Sequence, residues 1–595
     1  MIKSPRDNFV FLETNRFDRE NLYSYLFLNP LKIISCYSLD DVEKVFFEME
    51  DFRKRGYYLA GFISYEAGYS FEETLKSLAI GSDFPLVWFG VYKNPFIFRE
   101  GEAIDLFNAI STYRITDFRP NISRDEYINN VKAIKNFIRK GITYQVNYTF
   151  KYRFNFSGSI YGLYRELKSR QAVSYSAFIH TDRYSILSFS PELFFRKKGN
   201  SIVVRPMKGT IERGRTPQED EFKKTILENS IKDRSENIMI VDLLRNDLGR
   251  ICKSGTVATK GLFEVERYET LFQMVSTVKG ILKKDTSFYE LFKAIFPSGS
   301  VTGAPKISTM EIINSIEKEP RRIYTGGIGF IGPDGESVFN VAIRTVLIDN
   351  LSKKGEMGIG SGIVYDSNAS KEFEECKLKA SFISLPRMDF ELIESILWKP
   401  KNGFYLLRLH LERLKSSARH FNFRFDRKFI IERLKEIEKK FKRALSYKVR
   451  VLLGKTGNIR IDYRPITKER EPVKIRFSTK RTFSDNMFLY HKTTNRHLYD
   501  EEYNRWNKKG YFDVIFTNEK NQITEGSISN IIIKKGRFFY TPPIGCGLLE
   551  GVFRKNLFKE NPLLKEKVLY KKDLLNADEI YVANSVRGML RAVLE

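Results

Sequence analysis

The stretch GIGSGIVYDSNASKEFEECKLKA (358–380) decides how this chain is read. It opens with three glycines in five residues, which lets backbone N–H groups come close to an anion. It leads directly into a helical pattern in which Glu372 and Glu375 are three residues apart and Lys379 continues the same stripe. A second acidic pair at that spacing, Asp233 and Glu236, lies in DRSENIMIVDLLRNDLGR (233–250). Either pair alone reads as an ordinary exposed helix face. Two such helices facing each other could instead hold one divalent ion, because Mg2+ takes oxygen ligands and keeps positions open for a substrate carboxylate.

Three further segments keep company with these helices. RPMKGT (205–210) puts Lys208 in a loop bounded by proline and glycine, and VTGAPK (301–306) is a small-residue turn before a helix starting near Lys306. FNVAIRT (339–345) puts Arg344 in a buried strand, where a lone cation needs an anionic partner. No Walker A pattern is present, so the anion expected here is a carboxylate rather than a nucleotide phosphate.

The chain has 595 residues, of which 42% are hydrophobic, too many for one compact core and too apolar for a disordered chain. The four cysteines, Cys36, Cys252, Cys376 and Cys546, lie far apart, which argues against a disulfide framework or a clustered zinc site. The N-terminus has no apolar run of the signal-peptide kind and no segment approaches 18 apolar residues, so the expected compartment is the cytosol, with no membrane partner. The net charge of +27 is spread along the sequence rather than striped, which reads as a basic solvated surface and not as a nucleic-acid binder. It still favours a small anion entering a cleft.

Strand-like runs such as FVFLE (9–13) and LAGFISYEAG (59–68) fill the first 120 residues. A helix is expected near 124–140, capped by Ser123, with Tyr127, Val131, Ile134 and Phe137 on one face. After a short joint around Pro386 a new series begins at FELIESILW (390–398), with a helix from Leu406 to Phe421 and strands such as YKVRVLLG (447–454). The expectation is two mixed α/β and α+β domains, 1–385 and 386–595.

PMKGT, ENIMIVDLLRNDLGR, VTGAPK, YTGGIGF, FNVAIRT and the 358–380 stretch, in this order, resemble the chorismate-utilising enzymes. IRKGITYQVNYTF (138–150) and SPELF (190–194) fit as well. That family holds the first components of anthranilate and aminodeoxychorismate synthases and the isochorismate synthases. The resemblance implies a large α/β fold with two stacked sheets. It implies Glu236 and Glu375 as Mg2+ ligands, with Glu372 and Asp233 beside them. Tyr324 and Arg344 match positions that grip the enolpyruvyl carboxylate of chorismate, Gly360 and Gly362 match backbone donors, and Thr302 and Lys379 lie in substrate-binding motifs. Glu192 matches an acid near the ring. Lys208 stands where anthranilate-making members typically have alanine, and where members resembling aminodeoxychorismate synthase have a nucleophilic lysine. Such a lysine has to be neutral to attack. Gln273 in FQMVST (272–277) replaces a histidine common in the family, which counts against pyruvate elimination in this half.

In the second half, HKTTNRHLYD (491–500) puts Lys492 at the end of a strand, and ITEGSISNIII (523–533) puts Glu525 in a turn before another. LLEGVFRKNL (548–557) is a glycine turn entering a helix, LRLHLERLKSSA (407–418) carries Arg413 on a helix, and NSVRGM (584–589) is a loop. Together and in order they resemble the fold type IV pyridoxal-phosphate enzymes, which include aminodeoxychorismate lyase. The resemblance implies a two-lobed α/β unit in which Lys492 holds the cofactor covalently and Glu525 pairs with its pyridine nitrogen. Arg413, the backbone at Val552 and Phe553, and Ser585 would hold the phosphate, Asn530 would be structural, and Ser395 would lie near the substrate.

Joined, the two resemblances imply 4-aminobenzoate synthesis for folate. Mg2+-dependent amination of chorismate would give 4-amino-4-deoxychorismate, and pyridoxal phosphate would then serve elimination of pyruvate. The alternative is an anthranilate or isochorismate synthase-type half fused to an aminotransferase. The sequence carries no Cys–His–Glu amidotransferase segment, so ammonia is expected from a separate glutamine amidotransferase subunit. A homodimer through the lyase domain is also expected.

Overall fold

The strand Phe9–Glu13 turns Phe9 and Phe11 to one side and Val10 and Leu12 to the other, and both sides are packed. The strand Tyr58–Ile63 does the same, with Ala60 and Phe62 against one core and Leu59 and Ile63 against another. A strand buried on both faces reads as a continuous apolar run, which is why these segments lack polar alternation. The computed structural model describes residues 8–16, 20–78, 83–99, 112–268, 271–383 and 390–595. The expected domain boundary at 385/386 lies outside the described residues.

Two compact units are present, one of Met1–Ile211 and Lys224–Arg387, the other of Glu212–Lys223 and Met388–Glu595. The first unit holds two ten-stranded antiparallel sheets. The core between them is built by Val10, Phe27, Ile179 and Leu347 from one sheet and Phe62, Trp88 and Phe330 from the other. Helices cover the outer faces: Tyr127, Leu163, Ile312 and Phe373 pack on one sheet, and Phe46, Ile240, Leu244 and Phe292 on the other. The result is a four-layer helix–sheet–sheet–helix unit.

The helix Arg124–Arg139 begins at Ser123, whose hydroxyl accepts the Glu126 N–H at 3.2 Å. Tyr127, Val131 and Ile134 are buried on its inner face, while Phe137 is only half-buried. The two acidic segments form the helices Ile231–Ile251 and Ala369–Ala380, and a further helix starts at Lys306. The glycine run before the second acidic helix is part of the strand Lys354–Ile363, paired along its length with Gln145–Gly158.

A single arginine ties the irregular backbone of this unit together. Arg321 is buried and sends Nε and Nη2 to the Glu317 carboxylate at 2.9 and 2.6 Å. Its Nη1 reaches the Val301 carbonyl at 2.8 Å and the Thr325 hydroxyl at 3.3 Å, and Nη2 also reaches the Asn147 carbonyl at 2.6 Å. The guanidinium lies 4.5 Å from the centre of the Tyr65 ring.

The second unit has a four-stranded sheet spanning 392–466, backed by the helices Leu407–His420 and Arg427–Glu438, and a mixed eight-stranded sheet. Val473–Arg481 runs parallel to both Asp513–Thr517 and Gly588–Leu594. Residues 212–223, which the sequence reading left in the first domain, belong to this unit. There the buried Arg213 pairs with Asp220 at 2.7 Å and donates to the His420 carbonyl at 3.0 Å. No helix among the described residues is long and apolar enough to cross a membrane.

Removing the central guanidinium leaves the buried Glu317 carboxylate with the Thr149 N–H but without its cation, and takes a donor from two carbonyls. Arg321→Met is therefore expected to destabilise the first unit by about 3–5 kcal/mol. Denaturant unfolding reads this directly, and an unchanged midpoint would refute the hub role.

Candidate functional site

In the first unit, Lys208 lies not in a loop but in the strand Met207–Glu212. Its amine packs so close to the glycine strand that a Cβ at Gly362 would stand 3.3 Å from Nζ and 2.7 Å from Gln145 Nε2. Burial draws the Lys208 pKa below the ordinary lysine value and Lys379 adds to that, against the pull of Glu236, Glu192 and Glu375. Glu192 is buried, and its Oε1 accepts the Ser300 hydroxyl at 2.5 Å. Burial raises its carboxyl to about 7, although Ser300, Lys208 and the Met207 N–H all favour the charged form. A glutamate pushed up to near neutrality is what proton transfer at neutral pH requires, and the lysine beside it is drawn downward.

The four helix carboxylates stand on the two acidic helices as expected, and they sense one another. Burial raises Glu236, with help from Asp233 and Glu372, and burial with Glu375 raises Glu372. Glu375 is opposed by its own burial, yet Lys379 at 2.8 Å holds its pKa down. The Lys379 amine also donates to the Gly360 carbonyl at 3.2 Å. Asp233 accepts its Ser230 cap hydroxyl, and it crowds Gly209, where a Cβ would lie 2.9 Å from the Asp233 Cβ. Among the described residues no three such groups are drawn into a ready metal cage. The donor set still suits Mg2+, which binds through one or two carboxylates and keeps waters and substrate oxygens.

Arg344 was expected within a strand. It sits instead in the break between Ser337–Val341 and Thr345–Asp349, at φ 51°. That left-handed conformation costs a β-carbon residue about 1–3 kcal/mol. Its Nη1 donates to Gln171 Oε1 at 2.9 Å, and no carboxylate pairs with it among the described residues. Burial lowers its pKa, with Tyr268 opposing. Tyr324 is buried with its ring against Gly358, where a Cβ would come within 2.1 Å of it. The Thr302 hydroxyl donates to the Ser298 carbonyl at 2.9 Å. Gln273 pairs with Glu266 in the outer hairpin of the second sheet. Sequence reasoning passed over Gln145, whose fully buried amide has no hydrogen-bond partner at either end among the described residues. The segment IRKGITYQVNYTF (138–150) matches the family as a whole, with no residue of it singled out.

In the second unit, a cavity of about 1110 Å3 is lined by Lys492, Glu525, Arg413, Gly551, Val552 and Ser585, among others. Lys492 is not at a strand end. It follows the short turn Met487–Leu489, and its carbonyl accepts the Ile393 N–H at 2.8 Å. Burial brings its pKa to about 7, with Arg496, Arg413 and Lys448 contributing and Glu394 opposing. Glu525 lies within the strand Ile523–Gly526 rather than in a turn. Burial raises its carboxyl to about 8, against the Leu549 N–H, the Tyr499 hydroxyl at 3.1 Å and Lys492. A buried carboxylate with that shift is ready for a cationic partner.

Asn530 donates to the Leu549 carbonyl at 3.0 Å, and its Oδ1 would lie 1.9 Å from a Cβ at Gly551. It thereby sets the entry of the helix Val552–Glu560, whose first N–H groups have no intrahelical acceptor. Arg413 is not free for an anion alone: it grips Glu394 through Nε and Nη2 at 2.8 and 2.7 Å, and Nη1 reaches the Glu550 carbonyl at 3.2 Å. Burial would raise Glu394, but Arg413 and His410 hold it down to about 2. Glu394 and His410 were not singled out from the sequence, though an acid inside the apolar run LIESILW was a visible signal. The Ser585 hydroxyl donates to the Ser395 carbonyl at 3.2 Å, which brings those two residues together.

Two protein families match separate stretches of the chain. A family model described as chorismate binding enzyme matches residues 10–384, and one described as amino-transferase class IV matches 391–594. A relative in Arabidopsis thaliana named chloroplastic aminodeoxychorismate synthase is 42% identical over 279 residues, 46% of this chain and 30% of that protein. A relative in Saccharolobus solfataricus named anthranilate synthase component 1 is 34% identical over 54% of this chain and 79% of that protein. The chain thus spans under a third of the plant relative's length. Anthranilate synthase component I from Streptococcus pneumoniae, a solved structure, shares the fold at 24% identity and a TM-score of 0.53, covering 62% of this chain and 94% of that one.

The Lys492 shift has a direct chemical readout. A lysine lowered to about 7 becomes neutral, and so reactive, as pH rises through 7 rather than near its ordinary value. Mass-spectrometric mapping of acylation between pH 6 and 9 is expected to find Lys492 labelled ahead of surface lysines, with a midpoint near 7. Labelling no faster than the surface set would refute the shift.

Proposed function

Because the chain belongs to the chorismate binding enzyme family through residues 10–384 and carries a class IV aminotransferase domain at 391–594, we propose that it makes 4-aminobenzoate in two steps. In this reading the domain 1–385 aminates chorismate to 4-amino-4-deoxychorismate, and the domain 386–595 removes pyruvate. The observation that carries it is Lys208, an amine lowered by burial, packed against Gly362 and electrostatically coupled to Glu192.

Lys208 acts as the nucleophile at ring C2, expelling the C4 hydroxyl, and ammonia entering at C4 then expels the lysine. Glu192, near neutrality, supplies the proton with which the departing oxygen leaves as water. Arg344, which has no carboxylate partner among the described residues, and Tyr324 take the enolpyruvyl carboxylate. Gln145 offers its unpaired amide to the same site, a role the sequence reading did not assign. Glu236 and Glu375 would hold Mg2+, with Glu372 and Asp233 beside them. Bound there, the ion would neutralise the ring carboxylate and polarise the leaving hydroxyl.

In the second domain, Lys492 would carry pyridoxal phosphate, which supplies an electron sink when bound. Glu525, buried and short of a cation, suits its protonated ring nitrogen, while Tyr499 and Asn530 orient the carboxylate. The Val552 and Phe553 N–H groups, Arg413 and Ser585 suit its phosphate. Once displaced by a substrate amine, Lys492 is near enough to neutrality to move the C4 proton. Ammonia would come from a separate amidotransferase subunit, and we also propose a homodimer through the second domain and a cytoplasmic setting.

Incubation with chorismate, ammonium, Mg2+ and pyridoxal phosphate is expected to yield 4-aminobenzoate. Lys208→Ala is expected to lower amination by about 10²-fold or more. Anthranilate as the product would overturn the reading. Lys492→Ala is expected to let 4-amino-4-deoxychorismate accumulate without pyruvate; aromatic product at the normal rate would refute its role.

A further inference from the structure

The segment Glu212–Lys223 packs within the second unit, although the sequence on either side of it belongs to the first. It continues the strand Met207–Glu212, which carries Lys208. Two forked ion pairs close this strap on itself. Arg213 sends Nε and Nη2 to the two oxygens of Asp220, each at 2.7 Å, and the Gly214 N–H donates to the same carboxylate at 3.0 Å. Arg215 grips Glu219 through Nε at 2.9 Å and through Nη2, and its own N–H donates there at 3.0 Å. Forked arginine–carboxylate pairs fix direction as well as distance, so the loop arrives with its shape set. Gly214 is part of that shape, because a Cβ there would stand 2.2 Å from the backbone nitrogen of Asp220.

What the strap grips is the stretch that leads to Lys492. Arg215 Nη1 donates to the Ser484 carbonyl at 2.8 Å, and the same carbonyl accepts the Tyr490 hydroxyl at 2.7 Å. The Arg215 guanidinium lies 5.4 Å from the centre of the Tyr490 ring. Arg213 Nη2 donates to the His420 carbonyl at 3.0 Å, and the His420 ring lies against that of His491, with centroids 4.3 Å apart. On its other side His491 Nδ1 is 2.9 Å from the Ser417 hydroxyl, which belongs to the same helix as His420. Among the described residues, 484–491 belongs to no sheet and forms only the short turn Met487–Leu489. Such a stretch has no ladder to hold it, so its side-chain anchors decide where its end points. The residue at that end is Lys492.

We propose that Glu212–Lys223 is a positioning strap of the second unit, with Arg215 its central residue: by holding Ser484, Tyr490 and His491 it fixes where Lys492 enters its cavity. The proposal rests on reading Lys492 as the lysine that carries pyridoxal phosphate. Arg215 is not among the residues lining the cavity, so it acts only through the stretch it grips. The charges that act on Lys492 are Arg496, Arg413, Glu394 and Lys448, and Glu525 senses it as well. None of these lies on the strap, so a change at Arg215 reaches Lys492 through its placement and not through a charge removed beside it.

The test follows acylation of Lys492 against pH in the full chain without cofactor, with the thermal midpoint reporting whether each variant is folded. Arg215→Gln is expected to let Lys492 reach water and to raise its labelling midpoint from near 7 by about one unit. Labelling at pH 6, relative to surface lysines in the same sample, then falls about tenfold. Glu219→Gln loosens the same fork from the strap side and is expected to lower that labelling about threefold, which keeps the proposal testable if Arg215→Gln does not fold. Glu212→Gln, which removes only the exposed partner of Lys223, is expected to leave the midpoint in place. An unmoved midpoint in folded Arg215→Gln or Glu219→Gln overturns the strap, even where the thermal midpoint falls, because the segment would then be packing alone. A shift as large in Glu212→Gln overturns it too, since any disturbance of the segment would then serve. Lys492 labelled no faster than surface lysines in the unaltered protein also overturns it, because no reactive lysine would be there to position. A midpoint that moves as expected in a protein that makes no 4-aminobenzoate supports the strap and sinks the proposed function alone. An unmoved midpoint in a protein that does make it sinks the strap alone.

Discussion

The first unit depends on the buried guanidinium of Arg321. Placing a full charge inside protein is unfavourable unless its donors are met, and here Glu317, Val301, Asn147 and Thr325 meet them. Three of these acceptors belong to segments that carry a candidate site residue. Val301 precedes Thr302, Asn147 lies two residues after Gln145, and Thr325 follows Tyr324. The Glu66 carboxylate accepts the next two backbone N–H groups, of Arg321 and Arg322, at 2.6 and 3.0 Å. One ion cluster thus ties two irregular stretches of backbone, at Val301 and Thr325, to the strand Gln145–Gly158, and the residues proposed to grip the substrate inherit that rigidity.

The same electrostatic logic recurs in both units. Each pairs a lysine whose pKa burial lowers with a glutamate whose pKa burial raises: Lys208 with Glu192, and Lys492 with Glu525. In both pairs the opposite charge of the partner is too weak to restore ordinary values, because desolvation is the larger effect. Glu192, Lys492 and Glu525 are brought to between about 7 and about 8, and Lys208 is drawn downward, the direction that favours proton exchange at neutral pH. That is the physical common ground for two successive reactions of amines, which we propose as the link between the halves. The second unit adds a contrast between Glu394, satisfied by Arg413 and His410, and Lys448 and Arg464 on the opposite sheet face, which have no ion pair among the described residues.

Local pattern made much of the architecture legible. The Ser123 cap with Tyr127, Val131 and Ile134 at helical spacing forms the helix Arg124–Arg139, and the helix from Lys306 starts where the VTGAPK turn ends. The two acidic helices follow from spacing alone. Errors fell where long-range pairing overrides local preference. Lys208, flanked by proline and glycine, looked like a loop residue but is held in a strand. Glu525 looked like a turn residue and is also in a strand. Arg344 looked like a strand residue and occupies a left-handed break between two strands, a conformation that only surrounding structure sustains.

The sequence by itself determined the residue types and their order: lysines, glutamates and glycines in the motifs that mark two mixed α/β halves. It also determined the period-two and helical patterns that bury their apolar faces. Only the tertiary structure decided which charges are answered and which are not. Glu394 meets Arg413, Gln145 meets no partner among the described residues, and Lys448 faces Arg464 across a ladder. Only it decided, too, that a side chain at Gly362 would crowd the Gln145 amide first and the Lys208 amine next. These are distances between segments far apart in the chain, and desolvation and Coulomb energy depend on such distances and not on adjacency in sequence.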